Sequence, residues 1–193
     1  MMLPEAKPLL VALDLEMNQP SGRIIQIGAC VGQWLTGEIV SSFSQLARPA
    51  MEPLDPHIVD LTGITSERMA REGVSLEEAY ARLQAWLAPY REQRHLNPLT
   101  WGGGDSLTLR EQLGFGDERW AFGRRWLDVK TVYQTWRMLQ NKPIEGGLAK
   151  AMTKLGLAFI GRKHDAKDDA VNTFRMYHAL LKALGGERFP PCS

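Results

Sequence analysis

Two carboxylates interrupt an aliphatic run near the start of the chain. In Pro8-Leu-Leu-Val-Ala-Leu-Asp-Leu-Glu16, six of the eight residues from Pro8 to Leu15 are aliphatic. A short apolar run with polar residues only at its end predicts a buried strand. Side chains at i and i+2 of a strand share a face, so Asp14 and Glu16 project together. An acid-x-acid triplet also arises by chance in a chain with 22 acids among 193 residues, most often on a solvated face. The aliphatic setting separates the two readings, because a charge taken out of water needs a partner.

The rest of the chain supplies a sheet and helices around that strand. Arg23 to Gln33 and Glu38 to Ala47 predict two more strands, joined through Pro20-Ser-Gly22 and Thr36-Gly37. Connections this short predict a three-stranded antiparallel meander. Ser75 and Glu78 have capping-box spacing, and Leu76, Ala79, Leu83, Trp86 and Tyr90 mark one face of a helix over 75–93. His57 to Thr65 is a short separate segment. Pro98 to Trp101 predicts a fourth strand, followed by Gly102-Gly-Gly104 and a helix from Asp105. Trp126 to Val129 predicts a fifth strand and then a helix to about Leu139, and Gly147 to Leu155 another short helix. A last helix starts near Ala166, with a core seam of Ala170, Phe174, Tyr177, Leu181 and Leu184, and Gly185-Gly186 stops it. The order predicts an α/β chain: a mixed five-stranded sheet, a meander plus two further strands, flanked by helices. Its length fits a single domain over 1–193 with a core at about 8–185.

Charge is nearly balanced, at 23 basic against 22 acidic residues. That total does not argue for nucleic-acid binding, but a local basic rim is compatible with it. Two cysteines, Cys30 and Cys192, build neither a zinc site nor a disulfide framework and suit a reducing compartment. The apolar run Leu9 to Leu13 is too short for a secretory h-region or a membrane span. The expectation is a cytoplasmic protein without a membrane partner.

Further acids stand at element boundaries. Asp105 follows Trp101-Gly-Gly-Gly104, where it is either a helix cap or a ligand. His164-Asp-Ala-Lys-Asp-Asp169 places Asp165 as the natural N-cap, Asp168 as a solvated neighbour and Asp169 within the first helical turn. His164, in the loop before it, is a better reactive candidate than His57, His95 or His178, and His178 reads as a packing residue. Should Asp14, Glu16, Asp105 and Asp169 converge, each close pair repels by roughly 3–4 kcal/mol at an effective dielectric near 20. Protons or cations must then neutralise them, and hard oxygen ligands favour Mg2+ or Mn2+. Two such ions suit a phosphoryl displacement, and the imidazole of His164 is a candidate base for the attacking water.

V-A-L-D-L-E, W-G-G-G-D and H-D-A-K-D-D stand in the order and approximate spacing of the three motifs of the DEDDh (DnaQ-like) exonucleases, and the chain resembles that family from about residue 8 to 185. The resemblance implies an RNase H-like fold and hydrolysis of nucleoside 5′-monophosphates from the 3′ ends of single-stranded RNA or DNA. It implies Asp14, Glu16, Asp105 and Asp169 as ligands of two Mg2+ or Mn2+ ions, with His164 as general base. L-T-G-I-T, from Leu61, matches the segment that borders the 3′-terminal nucleotide, which implies Leu61 and Thr62 as substrate contacts. Met17 stands where many relatives have a small residue, at a position that packs on the terminal sugar and base. W-G-G-G-D with the later L-D-V-K-T-V-Y is most similar to the stand-alone enzymes that trim short RNAs and histone messages.

Two other readings share these features. A non-catalytic nucleic-acid-binding module is free to lose a ligand, and none is missing. A proofreading subunit of a polymerase needs a docking surface, and only Gly186 to Ser193 follow the last helix. Trp101, Trp120, Trp126 and Trp136 are either stacking platforms for bases or core residues.

Overall fold

The computed structural model describes residues 9–49, 52–91, 96–114 and 120–185. The meander forms as read: β1 (Leu9–Met17), β2 (Ile24–Gln33) and β3 (Ile39–Leu46) are antiparallel neighbours. β4 (Leu99–Thr100) and β5 (Leu127–Asp128) extend the sheet in parallel from β1, giving the order β3-β2-β1-β4-β5. β1 is therefore central, which explains why its sequence is a nearly unbroken apolar run rather than an alternation.

The seven helices among the described residues are α1 (Pro56–Thr62), α2 (Ser66–Glu72), α3 (Leu76–Leu87), α4 (Asp105–Leu113), α5 (Val129–Leu139), α6 (Leu148–Lys154) and α7 (Ala166–Gly185). The segment read as one piece, His57 to Thr65, is most of α1 and the turn that leads into α2. Asp55 caps α1, Gly63 ends it in the left-handed region at φ +69°, and Thr65 caps α2. Ser75 caps α3 by accepting from the Glu78 N–H at 3.1 Å. The α-helical part stops at Leu87, and Ala88–Tyr90 is a 3-10 turn, because Pro89 has no N–H to continue the ladder. The predicted end at Gln93 lies outside the described residues, as do His95, Cys192 and the tail from Gly186.

Val11, Leu13 and Leu15 pack on one face of the sheet with Tyr80, Leu83 and Leu87 of α3 and Leu109 of α4. Ala12 and Cys30 pack on the other with Phe174, Met176 and Leu180 of α7 and Tyr133 of α5. The seam on α7 differs from the sequence reading. It runs Ala166, Ala170, Thr173, Phe174, Met176 and Leu180, whereas Leu184 is 44% exposed. The seam passes through Met176 where Tyr177 was expected, and a step of four from there falls on Leu180 in place of Leu181.

Candidate metal centre

The centre begins with the pairing of β1 and β2. Asp14 lies opposite Gly28 and Glu16 opposite Gln26, with an irregularity in register between Glu16 and Met17. Asp14 and Glu16 continue the face of Ala12, which packs toward α7. At Gly28 a methyl group would overlap the backbone of Ala166 and Lys167, so the first turn of α7 lies directly on β2. Glycine here is a matter of space.

Gln26 fixes that contact. It is fully buried, its Nε2 donates to Asp165 Oδ2 at 3.1 Å, and its Oε1 accepts from the Ala166 N–H at 3.1 Å. Asp165 in turn accepts from the N–H groups of Lys167 and Asp168, and is the N-cap anticipated from the sequence. Asp168 is not the solvated neighbour that was expected. It is half-buried, and its Oδ2 accepts from the Arg162 N–H at 2.8 Å. Asp169 Oδ2 accepts from the His164 N–H at 3.1 Å. His164 is exposed and has φ +61°, a left-handed backbone that turns the loop toward the helix.

These bonds bring the distant motifs together. Glu16, His164 and Asp169 each offer one ligand atom, and the three atoms lie within 4.8 Å of one another. Asp105 enters from a different element, as the first residue of α4. The preceding loop is held by Asp128, whose Oδ1 accepts from Gly102 N–H at 3.0 Å and from Lys130 N–H at 2.9 Å. Gly102 sits at φ +109°, which only glycine adopts without strain.

The four acids share one electrostatic environment. Burial drives the Asp14 carboxyl well above the usual carboxylate range, and Asp105, Asp169, Glu16 and Asp165 add to the effect in that order. Burial pushes Glu16 up to about 8, reinforced by Asp169, Asp165 and Asp105. Asp105 rises to about 7 through burial and the neighbouring Asp128. Asp169 rises to about 6 through burial, while the His164 N–H works in the opposite direction. The cluster is a set of hard oxygen donors that hold protons they would normally lose, and a divalent cation would displace those protons.

Met17 is half-buried and packs against the α3 side of the core, and Leu61 is half-buried beside Ile58 and Ile64. Thr62 is buried, and its hydroxyl donates to Ile58 O at 2.7 Å and meets the Ile64 N–H at 3.1 Å. The four tryptophans are half-buried and lie against other aromatic rings. Trp120 stacks between Tyr80 and Trp126 with Arg110 over its ring, and Trp101 and Trp136 both contact Tyr133. His178 packs as read, its Nδ1 2.7 Å from Trp34 O.

No protein-family model matches the chain. It is 27% identical over 166 residues to the 3′-5′ exonuclease Snipper of Drosophila melanogaster, covering 77% of this chain and 57% of that protein. It is also 27% identical over 205 residues to ERI1 exoribonuclease 2 of Mus musculus, covering 90% of this chain and 28% of that one. The chain thus spans little more than half of one relative and under a third of the other. In fold it is similar to the nuclease domain of 3′hExo, a DEDDh family member bound to rAMP, with a TM-score of 0.76, 20% identity and coverage of 97% of this chain and 98% of that one. By sequence the chain is similar to 3′-5′ exonucleases, and in fold to a DEDDh nuclease domain. The likeness to that nuclease domain covers the whole five-stranded sheet and its flanking helices.

The sequence reading missed the supports of these acids. Gln26 had a visible signal, as the one amide in the run Ile24-Ile-Gln-Ile-Gly-Ala-Cys-Val31. Asp128 stood at a strand-to-helix boundary in the same way as Asp105. Nothing local marked Arg162.

Proposed function

We propose that the chain is a metal-dependent 3′→5′ exonuclease that removes nucleoside 5′-monophosphates from single-stranded RNA or DNA. The observation that carries this reading is the meeting of Glu16, His164 and Asp169 within 4.8 Å, beside Asp14 and Asp105 in a desolvated acidic cluster. Asp14, Glu16, Asp105 and Asp169 would hold two Mg2+ or Mn2+ ions, since all four offer carboxylate oxygens and burial penalises their bare negative charge. Bound there, the pair supplies charge stabilisation to the attacking and leaving oxygens of the displacement.

The side chains do the remaining work. His164 takes a proton from the attacking water at an imidazole nitrogen, and its exposed position lets the proton pass to solvent. The Asp169 carboxylate holds the loop through the His164 N–H, which fixes where the imidazole can reach. Met17, Leu61 and Thr62 border the terminal nucleotide; the Thr62 hydroxyl is engaged within α1, so its part is to shape the turn rather than to bond substrate. Water attacks the terminal phosphorus, the P–O3′ bond breaks, and the released unit keeps its phosphate as a 5′-monophosphate. No helix among the described residues is long and apolar enough to cross a membrane, and the sparse cysteine supports a cytoplasmic setting.

The test is a digestion time course on matched 5′-labelled RNA and DNA, with Mg2+, with Mn2+ and with excess EDTA. Stepwise shortening from the 3′ end that stops in EDTA supports the reading. Full activity in EDTA, or products carrying a 3′-phosphate, would defeat it.

A further inference from the structure

Arg162 makes contacts that holding a metal does not require. It is exposed and lies two residues before His164. Its backbone is tied to α7 through Asp168. Its guanidinium reaches in the other direction, across the surface to α1, where Nη2 is 3.4 Å from the carbonyl oxygens of both Asp60 and Leu61. The same group lies over Gly63, where a methyl would overlap it. The last carbonyls of a helix lack intrahelical partners and carry the negative end of its dipole, so a cation is favoured there. The planar group presents Nη2 to both carbonyls and Nη1 to Gly63, an extended shape that the single point charge of a lysine ammonium lacks.

The two segments joined in this way belong to different halves of the chain. One presents His164; the other is the Leu61–Gly63 turn, which the proposed function sets beside the terminal nucleotide. We propose that Arg162 is a positioning residue: it clamps the His164 loop to the C-terminal turn of α1 and so sets the distance between the imidazole and the 3′-terminal nucleotide. The inference rests on the exonuclease reading. It also accounts for glycine at position 63, which must both accept φ +69° and leave room for the guanidinium.

A residue acting through another has a recognisable kinetic signature. Loss of geometry lowers kcat, whereas loss of a direct phosphate contact raises KM. Small misplacements of reacting groups are costly, so Arg162→Ala is expected to lower kcat by about 10- to 100-fold. KM, the melting temperature and the Mg2+ concentration for half-activation should stay near those of the wild type. Arg162→Lys is expected to fall between the two. In a His164→Ala background the same change should add less than about 2-fold, because the group being positioned is gone.

The experiment is steady-state kinetics of the full chain on a 5′-labelled single strand with Mg2+, for wild type, Arg162→Ala, Arg162→Lys, His164→Ala and the double variant. If Arg162→Ala melts below the assay temperature, Arg162→Lys carries the same comparison. An unchanged kcat, a raised KM at unchanged kcat, or losses that multiply fully in the double variant would each overturn the positioning role while leaving an active nuclease. A wild type without nuclease activity would overturn the exonuclease reading and this one with it.

Discussion

The backbone N–H of His164 donates to Asp169 Oδ2 at 3.1 Å, so one carboxylate both faces the acidic cluster and shapes the loop that presents the imidazole. In this arrangement the H-x-A-x-x-D spacing is a structural unit. The helix-borne acid is placed by α7, and the histidine is placed by the acid.

The left-handed backbone at His164 gives a prediction in which stability and activity move apart. A non-glycine residue at φ +61° is strained by about 1–2 kcal/mol relative to glycine. His164→Gly should therefore be at least as stable as His164→Ala, with a higher melting temperature, while both lose about 100- to 10,000-fold in rate. Thermal melts and single-turnover rates on the three proteins check this. Equal rates for wild type and His164→Ala would remove His164 from the chemistry.

Asp14 gives a second such divergence. Its carboxyl is held far above its usual range, chiefly by burial, so its ionised form opposes folding of the metal-free chain. Asp14→Asn should raise the melting temperature in EDTA by about 2–4 °C for each kcal/mol of relieved repulsion, while turnover is abolished. A lower melting temperature in EDTA would show that the ionised acid contributes favourably without a cation.

The same acids determine the pH dependence of the metal-free protein. Glu16, Asp105 and Asp169 hold their protons to about 8, 7 and 6 in the folded chain, well above ordinary carboxylates near 4. Folding takes up protons between those values, so their contribution to stability is fully present at low pH and is lost as pH rises through 6 to 8. Melting temperatures in EDTA should fall over that window and fall less with Mg2+ present. The Mg2+ concentration for half-saturation should drop as pH rises, because cations displace protons. Melting temperatures that rise with pH in EDTA would contradict the account.

Gln26 tests the support beneath the cluster. Replacing it with leucine leaves the Ala166 N–H without its acceptor and removes the donor to Asp165 Oδ2, which costs about 1–3 kcal/mol. Gln26→Leu should melt lower and bind Mn2+ more weakly, although the Gln26 side chain makes its hydrogen bonds to Ser44, Asp165 and Ala166 rather than to a proposed ligand. A variant with unchanged melting temperature and Mn2+ affinity would show that the first turn of α7 is held by other contacts.

The sequence exposed the parts of the molecule governed by local pattern. β1, β2 and β3 were legible because apolar runs and short turns specify them, and the starts of α3, α4 and α7 because Ser75, Asp105 and Asp165 carry capping or boundary signals. Asp14, Glu16, Asp105, Asp169 and His164 were legible as an ordered set of motifs. The supports were not, because each spans elements far apart in the chain: Gln26 reaches Asp165 and Ala166, Asp128 reaches Gly102, and Arg162 reaches Asp60 and Leu61. Side-chain identity does not reveal such pairings before the sheet order is known. The α7 seam was misplaced for a local reason, since Leu180 and Leu181 both satisfy the helical repeat and the sheet decides between them.

The most direct measurement is Mn2+ binding by the full chain at pH 8 with a nucleoside 5′-monophosphate present, followed by electron paramagnetic resonance. The account predicts about two ions per wild-type chain, and fewer in Asp14→Asn and in Asp169→Asn. No specific binding in the wild type, or the same stoichiometry and affinity in all three proteins, would contradict it.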